Sequence, residues 1–110
     1  MVARLWHGWT TEENADAYQR HLLDEVLPGI AAKGIQGFWG GFVLRTERES
    51  ETEFVTLLFF ESPDSLRRFA GEDYGAAYVP ETARRLLSRF EERVEHYNQV
   101  IPFPVSPRKP

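Results

Sequence analysis

Proton-handling side chains are few in this chain, so their positions carry weight. Imidazoles stand at His7, His21 and His96, and there is no cysteine. A histidine can take a proton from a phenol near neutral pH, because its unperturbed pKa is about 6.5. Pairing residues 3–9 of a first strand antiparallel to residues 92–98 of a last strand brings His7 and His96 to adjacent or diagonal positions. Such a pair would act as base or anion stabiliser. Alternatively each is a hydrogen-bonded structural histidine, or faces a subunit interface. His21, between Arg20 and Leu22 and off the strongest apolar line of its segment, reads as solvated. Tyr74 and Tyr78 lie in an irregular stretch between two later helical segments. Loops often carry function, and a phenol there can donate to a substrate carbonyl. Trp6, Trp9 and Trp39 are flat enough to wall an aromatic site, with core or interface packing as the alternative for each.

Composition removes several function classes. The 110 residues fit one domain that can bury a core without staples. Without cysteine there is no disulfide scaffold, thiolate metal site, iron–sulfur cluster or cysteine nucleophile. A net charge of −4 with no basic block argues against a nucleic-acid partner. The longest apolar runs, around Val55 and Leu57-Leu58-Phe59-Phe60, fall far short of the roughly 20 residues that span a bilayer, so no membrane partner is expected. Residues 1–7 lack the pattern of a signal peptide, and a soluble cytoplasmic protein is the expectation.

The elements that must position these residues follow from periodicity. Residues 2–9 read as a strand. Thr10 and Glu13 offer a capping box for a helix whose stripe is Ala15, Tyr18, Leu22, Leu23, Val26, Leu27 and Ile30. Pro28 should kink or shorten its last turn, and Gly34 ends it. Residues 36–45 form a glycine-rich strand, with Gly40-Gly41 suggesting a bulge. The charged residues 45–53 make a hairpin turn into a strand over 54–61, apolar enough for burial on both faces. Ser62 caps a helix with Pro63 in its first turn and Leu66, Phe69 and Ala70 on its buried side. Pro80 begins another helix, with a stripe of Ala83, Leu86, Leu87 and Phe90, and residues 91–101 alternate as a fourth strand. Residues 1–101 thus form the domain, and 102–110, with four prolines, a tail that cannot pair as a central strand.

This order, βαββαβ with an extra helical turn, predicts an α+β, ferredoxin-like fold with a four-stranded antiparallel sheet. Helices can cover only one sheet face, yet the strands carry apolar residues at nearly every position. A second copy of the chain, sheet against sheet, is the economical cover, which predicts a homodimer.

Several stretches resemble the antibiotic biosynthesis monooxygenase family of dimeric α/β barrels. They are Ala3-Arg4-Leu5-Trp6-His7-Gly8, Thr10-Thr11-Glu12-Glu13-Asn14-Ala15-Asp16-Ala17-Tyr18, Glu25-Val26-Leu27-Pro28-Gly29-Ile30 and Glu53-Phe54-Val55-Thr56. Phe69-Ala70-Gly71-Glu72-Asp73-Tyr74 and Leu87-Ser88-Arg89-Phe90-Glu91-Glu92-Arg93-Val94-Glu95-His96-Tyr97 complete the likeness, which spans residues 3–100. The resemblance implies a cavity between sheet and helices, with Tyr74 and Tyr78 over its mouth. It also implies oxidation of a small or polycyclic phenolic substrate without flavin, metal or haem, since a deprotonated phenol can itself give an electron to oxygen. In keeping with that, the sequence has no Gly-x-Gly-x-x-Gly, phosphate loop or His-x-x-x-His. Haem-degrading relatives use an axial histidine in the second helical region, and none lies between His21 and His96. The same fold also serves non-catalytic modules that hold a small apolar ligand, which is the alternative reading.

Overall fold

A computed structural model describes residues 1–104. The chain runs β1 (Val2–Thr10), α1 (Ala15–His21), a π-helical turn (Leu22–Val26), α2 (Leu27–Ala32), β2 (Phe38–Glu47), β3 (Thr52–Phe60), α3 (Pro63–Ala70), α4 (Glu81–Leu86), β4 (Leu87–Phe90) and β5 (Glu95–Tyr97). The architecture is the expected ferredoxin-like α+β arrangement on an antiparallel sheet ordered β2-β3-β1-β4, with β5 also paired to β1. Of the proline-rich tail, residues 102–104 are exposed and in neither helix nor strand; Pro107 and Pro110 lie outside the described residues.

Of the strand expected over 91–101 only β5 forms, and a further short strand, β4, precedes it where helix was expected, making five strands. β4 meets β1 at Gly8–Thr10 and β5 meets it at Ala3–Leu5. Glu91 N–H still donates to His7 O of β1, and residues 92–94 then pair elsewhere: Arg93 bridges to Ala76, Ala77 N–H donates to Glu92 O, and Val94 N–H donates to Gly75 O. That detour fastens the segment before α4 to the sheet edge. It also corrects the fourth helix, which stops at Leu86; Leu87 and Phe90 fit its stripe but are drawn into the sheet by β1.

The first helix differs at both ends. No capping box forms, because Thr10 is still in β1 with its hydroxyl buried, and Thr11 Oγ1 accepts from Asn14 N instead. At the other end a proline cannot donate to the carbonyl four residues back and its ring crowds that carbonyl. The helix accommodates Pro28 by widening ahead of it into the π-turn, where Leu27 N–H reaches Leu22 O. The helix continues to Ala32 and ends as expected at Gly34. Ser62 caps α3 as anticipated, its Oγ accepting from Ser65 N.

Pleating assigns the side chains. On β1, Val2, Arg4, Trp6, Gly8 and Thr10 face the helices, with Phe54, Thr56, Leu58 and Phe60 beside them on β3. Two buried clusters result, one around Tyr18, Leu22, Phe54 and Val79, the other around Val2, Leu58, Phe60 and Leu66. The opposite face presents Leu5, His7, Trp9, Val55, Leu57 and Phe59, with Phe42 and Leu44 on β2 exposed. The strand over 52–60 is therefore buried on one face, and only partly covered on the other.

The doubled glycine of β2 has two separate causes. Gly40 follows a bulge at Trp39 and takes φ +87°, which favours glycine, whereas a Cβ on Gly41 would overlap the Leu57 carbonyl oxygen of β3. Gly40→Ala should cost about 1–2 kcal/mol from backbone strain alone. Gly41→Ala, which must push two strands apart, should cost about 3 kcal/mol. Urea unfolding of the two variants checks the order.

Candidate functional site

Between the sheet and the α1–α2 helix lies a cavity of about 610 Å³. Trp6, Thr56 and Leu58 rise from the sheet, Tyr18, His21 and Leu22 descend from the helix, and the segment 76–80 closes one side. Its lining is mostly apolar, with a few polar groups: the usual composition of a small-molecule site.

The π-turn sets the chemistry of the helical wall. His21 precedes it and Glu25 lies within it, and His21 Nδ1 is 2.8 Å from Glu25 Oε2. A carboxylate only accepts, so a neutral His21 carries its proton on Nδ1 and keeps a lone pair on Nε2. That Nε2 is buried and has no partner among the described residues, in a residue only 8% exposed. The sequence reading of His21 as solvated is thus corrected. His21 stands in the regular part of the helix, three residues after the buried Tyr18, so ordinary helical spacing already places it at the edge of the apolar stripe. An i, i+4 His–Glu pair was the signal available.

Arg4 supplies the one guanidinium in the lining. It is 7% exposed, and burial lowers its pKa to about 10. Its donors reach Tyr74 O at 2.6 Å, Ala76 O at 3.2 Å and His96 Nε2 at 3.2 Å, so one side chain of the central strand ties down the cavity's flanking segment. Burial pushes the Tyr18 phenol up, which keeps it protonated within the lining.

The residues singled out from sequence divide by strand parity. Trp6 lines the cavity and donates from Nε1 to Glu91 O at 2.7 Å. Tyr78 is at its rim, 86% exposed. His96 pairs across β1 with Arg4, not His7, so the expected adjacency of the two imidazoles does not form. The observed register differs by one residue from the expected one, and that single step puts His96 on the inner face with Arg4 while His7 stays on the outer face. His96 packs its ring 5.4 Å from that of Tyr74, and both buttress Arg4. His7 and Trp9 are on the other sheet face, their rings stacked 5.8 Å apart, with His7 Nε2 3.6 Å from Glu53. Trp39 sits in the β2 bulge and is exposed.

No family model matches this sequence, and no curated protein does. Solved structures do. A Bacillus cereus protein provisionally named an antibiotic biosynthesis monooxygenase superposes with a TM-score of 0.68 at 12% identity, over 97% of this chain and 98% of that one. The fold is shared end to end. A Chloroflexus aurantiacus protein with the same provisional name gives 0.53 at 13% identity, covering 96% of this chain and 98% of its own. A protein from Shewanella oneidensis gives 0.56 at 18% identity, with 92% of each chain covered. The family likeness read from sequence therefore has its structural counterpart in the fold. Among the described residues no helix is long and apolar enough to cross a membrane.

His96 has a measurable consequence for stability. Its pKa is lowered, first by burial and then by the Arg4 charge, and Arg4 donates to its neutral Nε2. The unfolded chain then takes up a proton before the folded one does, so stability falls as pH drops below the ordinary histidine value of about 6.5. His96→Asn keeps an acceptor for Arg4 but cannot titrate. Urea midpoints taken from about pH 7.5 down to about pH 5 should fall less steeply in this variant than in the parent.

Proposed function

We propose that this protein is a cofactor-independent monooxygenase-like enzyme that oxidises a small or polycyclic phenolic aromatic, working as a homodimer. The observation that carries this reading is the cavity itself, with an aromatic wall, a carboxylate-oriented imidazole and a buried cation in one lining. The base is His21, in place of His7 and His96. Its Nε2 takes the phenolic or enolic proton while Glu25 stabilises the resulting imidazolium. Arg4 offsets the negative charge left on the substrate, and the low polarity around it strengthens that attraction. His96 and Tyr74 are positioning residues that hold Arg4, and Tyr78 at the rim orients the substrate.

The anion then gives an electron to dioxygen, the resulting radical pair forms a carbon–oxygen bond, and loss of water leaves a carbonyl. Overall a ring CH₂ and O₂ become C=O and H₂O, four electrons passing from substrate to oxygen. The cavity excludes bulk water that would otherwise quench the intermediate. Incubation with anthrone-like phenols should consume oxygen mole for mole with substrate. His21→Gln should slow uptake about a hundredfold or more, the usual contribution of a general base. Unchanged uptake in that variant removes His21 from the base role. Binding without uptake above buffer returns the alternative, a ligand-holding module of the same fold.

The homodimer rests on the outer sheet face, where Leu5, Leu57 and Phe59 are partly covered and Phe42 is 62% exposed. Such a contiguous apolar surface is costly in water. A second copy packed face to face would cover it, placing His7, Trp9 and Trp39 at or near the subunit contact. Sedimentation at micromolar concentration should give twice the chain mass, and Phe42→Glu should shift the population to single chains. A parent protein that sediments as a single chain overturns the dimer.

A further inference from the structure

Several exposed arginines have carboxylate partners, as Arg45 has Asp16 and Arg89 has Glu51. Arg4 has none among the described residues, although it is their one buried arginine or lysine. Its acceptors are two backbone carbonyls and a neutral imidazole. Burial alone acts on its pKa, and no carboxylate raises it. A buried charge without a counter-charge is costly.

The free edge of that guanidinium faces usable space. Of its five N–H groups three are taken, which leaves Nε–H and one Nη2–H on adjacent nitrogens. Two such N–H groups can grip a carboxylate in a fork. The fully buried side-chain atoms without a partner are Thr10 Oγ1, His21 Nε2 and Thr56 Oγ1. Arg4 Nε also lacks a partner but is not one of them, so it keeps accessible surface in a residue that lines the cavity. A second cation stands nearby in the lining. The Arg4 guanidinium carbon is 5.4 Å and Lys33 Nζ 5.5 Å from the ring centre of Phe69. Lys33 likewise has no carboxylate partner among the described residues. Glu25, the one carboxylate in the lining, bonds His21.

We propose that the cavity binds an amphipathic monocarboxylate, its carboxylate forked on the free edge of Arg4 and attracted by Lys33. Its apolar body lies along walls such as Leu22, Val26, Ile30 and Leu58. A carboxylate fits the planar fork and is cheaper to desolvate than a doubly charged phosphate. This inference concerns the charge of the ligand and does not rest on the oxygenase reading.

Titration calorimetry with decanoate, decanol and decyl phosphate, each below the concentration at which it aggregates, tests this. An apolar cavity with no cation aimed into it would favour the alcohol, because a carboxylate is costly to desolvate. The parent protein should instead favour decanoate over decanol about tenfold or more, a factor typical of a hydrogen bond to a charged group. Lys33→Gln should weaken decanoate about two- to threefold and leave decanol unchanged. Arg20→Gln removes an exposed charge outside the lining and should change neither. Arg4→Lys replaces the fork by a point charge and should narrow the preference to about threefold or less. If that variant does not fold, the parent and Lys33→Gln decide. Decanol bound as tightly as decanoate, no binding of decanoate, a preference kept in folded Arg4→Lys, or equal effects of Lys33→Gln and Arg20→Gln overturns the inference. Tighter binding of decyl phosphate overturns the carboxylate. A decanoate preference in a protein that consumes no oxygen with phenols keeps this inference and overturns the oxygenase reading, and oxygen uptake without the preference does the reverse.

Discussion

The parity of β1 is the constraint on which the rest depends. This strand is paired along its whole length to β3 on one edge, and to β4 and β5 on the other. A strand held on both edges cannot slip by one residue without exchanging its two faces. Arg4 and Trp6 are therefore committed to the cavity side, and Leu5, His7 and Trp9 to the outer side. Nothing in the local sequence Arg4-Leu5-Trp6-His7 says which half faces inward; both sets contain a ring and a potential cation. The neighbours decide it. Phe54, Leu58 and Phe60 on β3 are buried under helices, and antiparallel pairing puts Trp6 next to Thr56 and Arg4 next to Leu58 on that same face.

Much of the fold was legible because its signals are local. Ser62 followed by Pro63 starts a helix whatever surrounds it, and Gly34 ends one at the expected place. The strands follow from runs and alternation of apolar residues, and the ferredoxin-like arrangement from the order of the elements. What escaped were features fixed by distant partners. Ala83, Leu86, Leu87 and Phe90 make a sound helical stripe, yet β1 takes the last two as strand residues, and tertiary pairing outweighs a propensity difference of a few tenths of a kcal/mol per residue. The break at 92–94 depends on the segment 75–77, and nothing in the alternating sequence marks it. His96 was noticed, but a register one residue from the expected one turns it to the other face, and that step is set by pairing with β1 rather than by local pattern.

The candidate site was less legible than the fold for a related reason. Aromatic residues and histidines announce themselves by type, but their use depends on which face they occupy. Trp6 and Tyr78 reach the cavity, while His7, Trp9 and Trp39 do not line it. His21 was passed over because a polar residue at the edge of an apolar stripe ordinarily reaches solvent, whereas here, three residues after Tyr18, it is buried and its ring meets Glu25. Arg4 had no special mark in the sequence, since a lone arginine in a strand usually reaches solvent. Only its burial, with three acceptors around it, gives it a role.

One sheet thus carries two surfaces with opposed demands, written into alternate residues of the same strands. The inner face tolerates unpaired polar atoms and an incompletely filled core, both of which reduce stability. The outer face leaves apolar area uncovered, which reduces it further while the chain is alone. A domain of this size has a small net stability, so these two deficits are not independent. Covering the outer face would stabilise the strands that also form the cavity floor, without touching any residue that lines it. The bulge at Trp39 and the close approach at Gly41 fit this division. The irregularity is confined to residues 38–40, and the inner pairing of Val43 with Thr56 and of Arg45 with Phe54 continues in register. Arg45 then crosses to Asp16 and Gln19 on α1, joining the edge strand to the helix that carries His21. An association on one face would thereby steady a cavity on the other through backbone that both share, and would couple assembly to the geometry of the site.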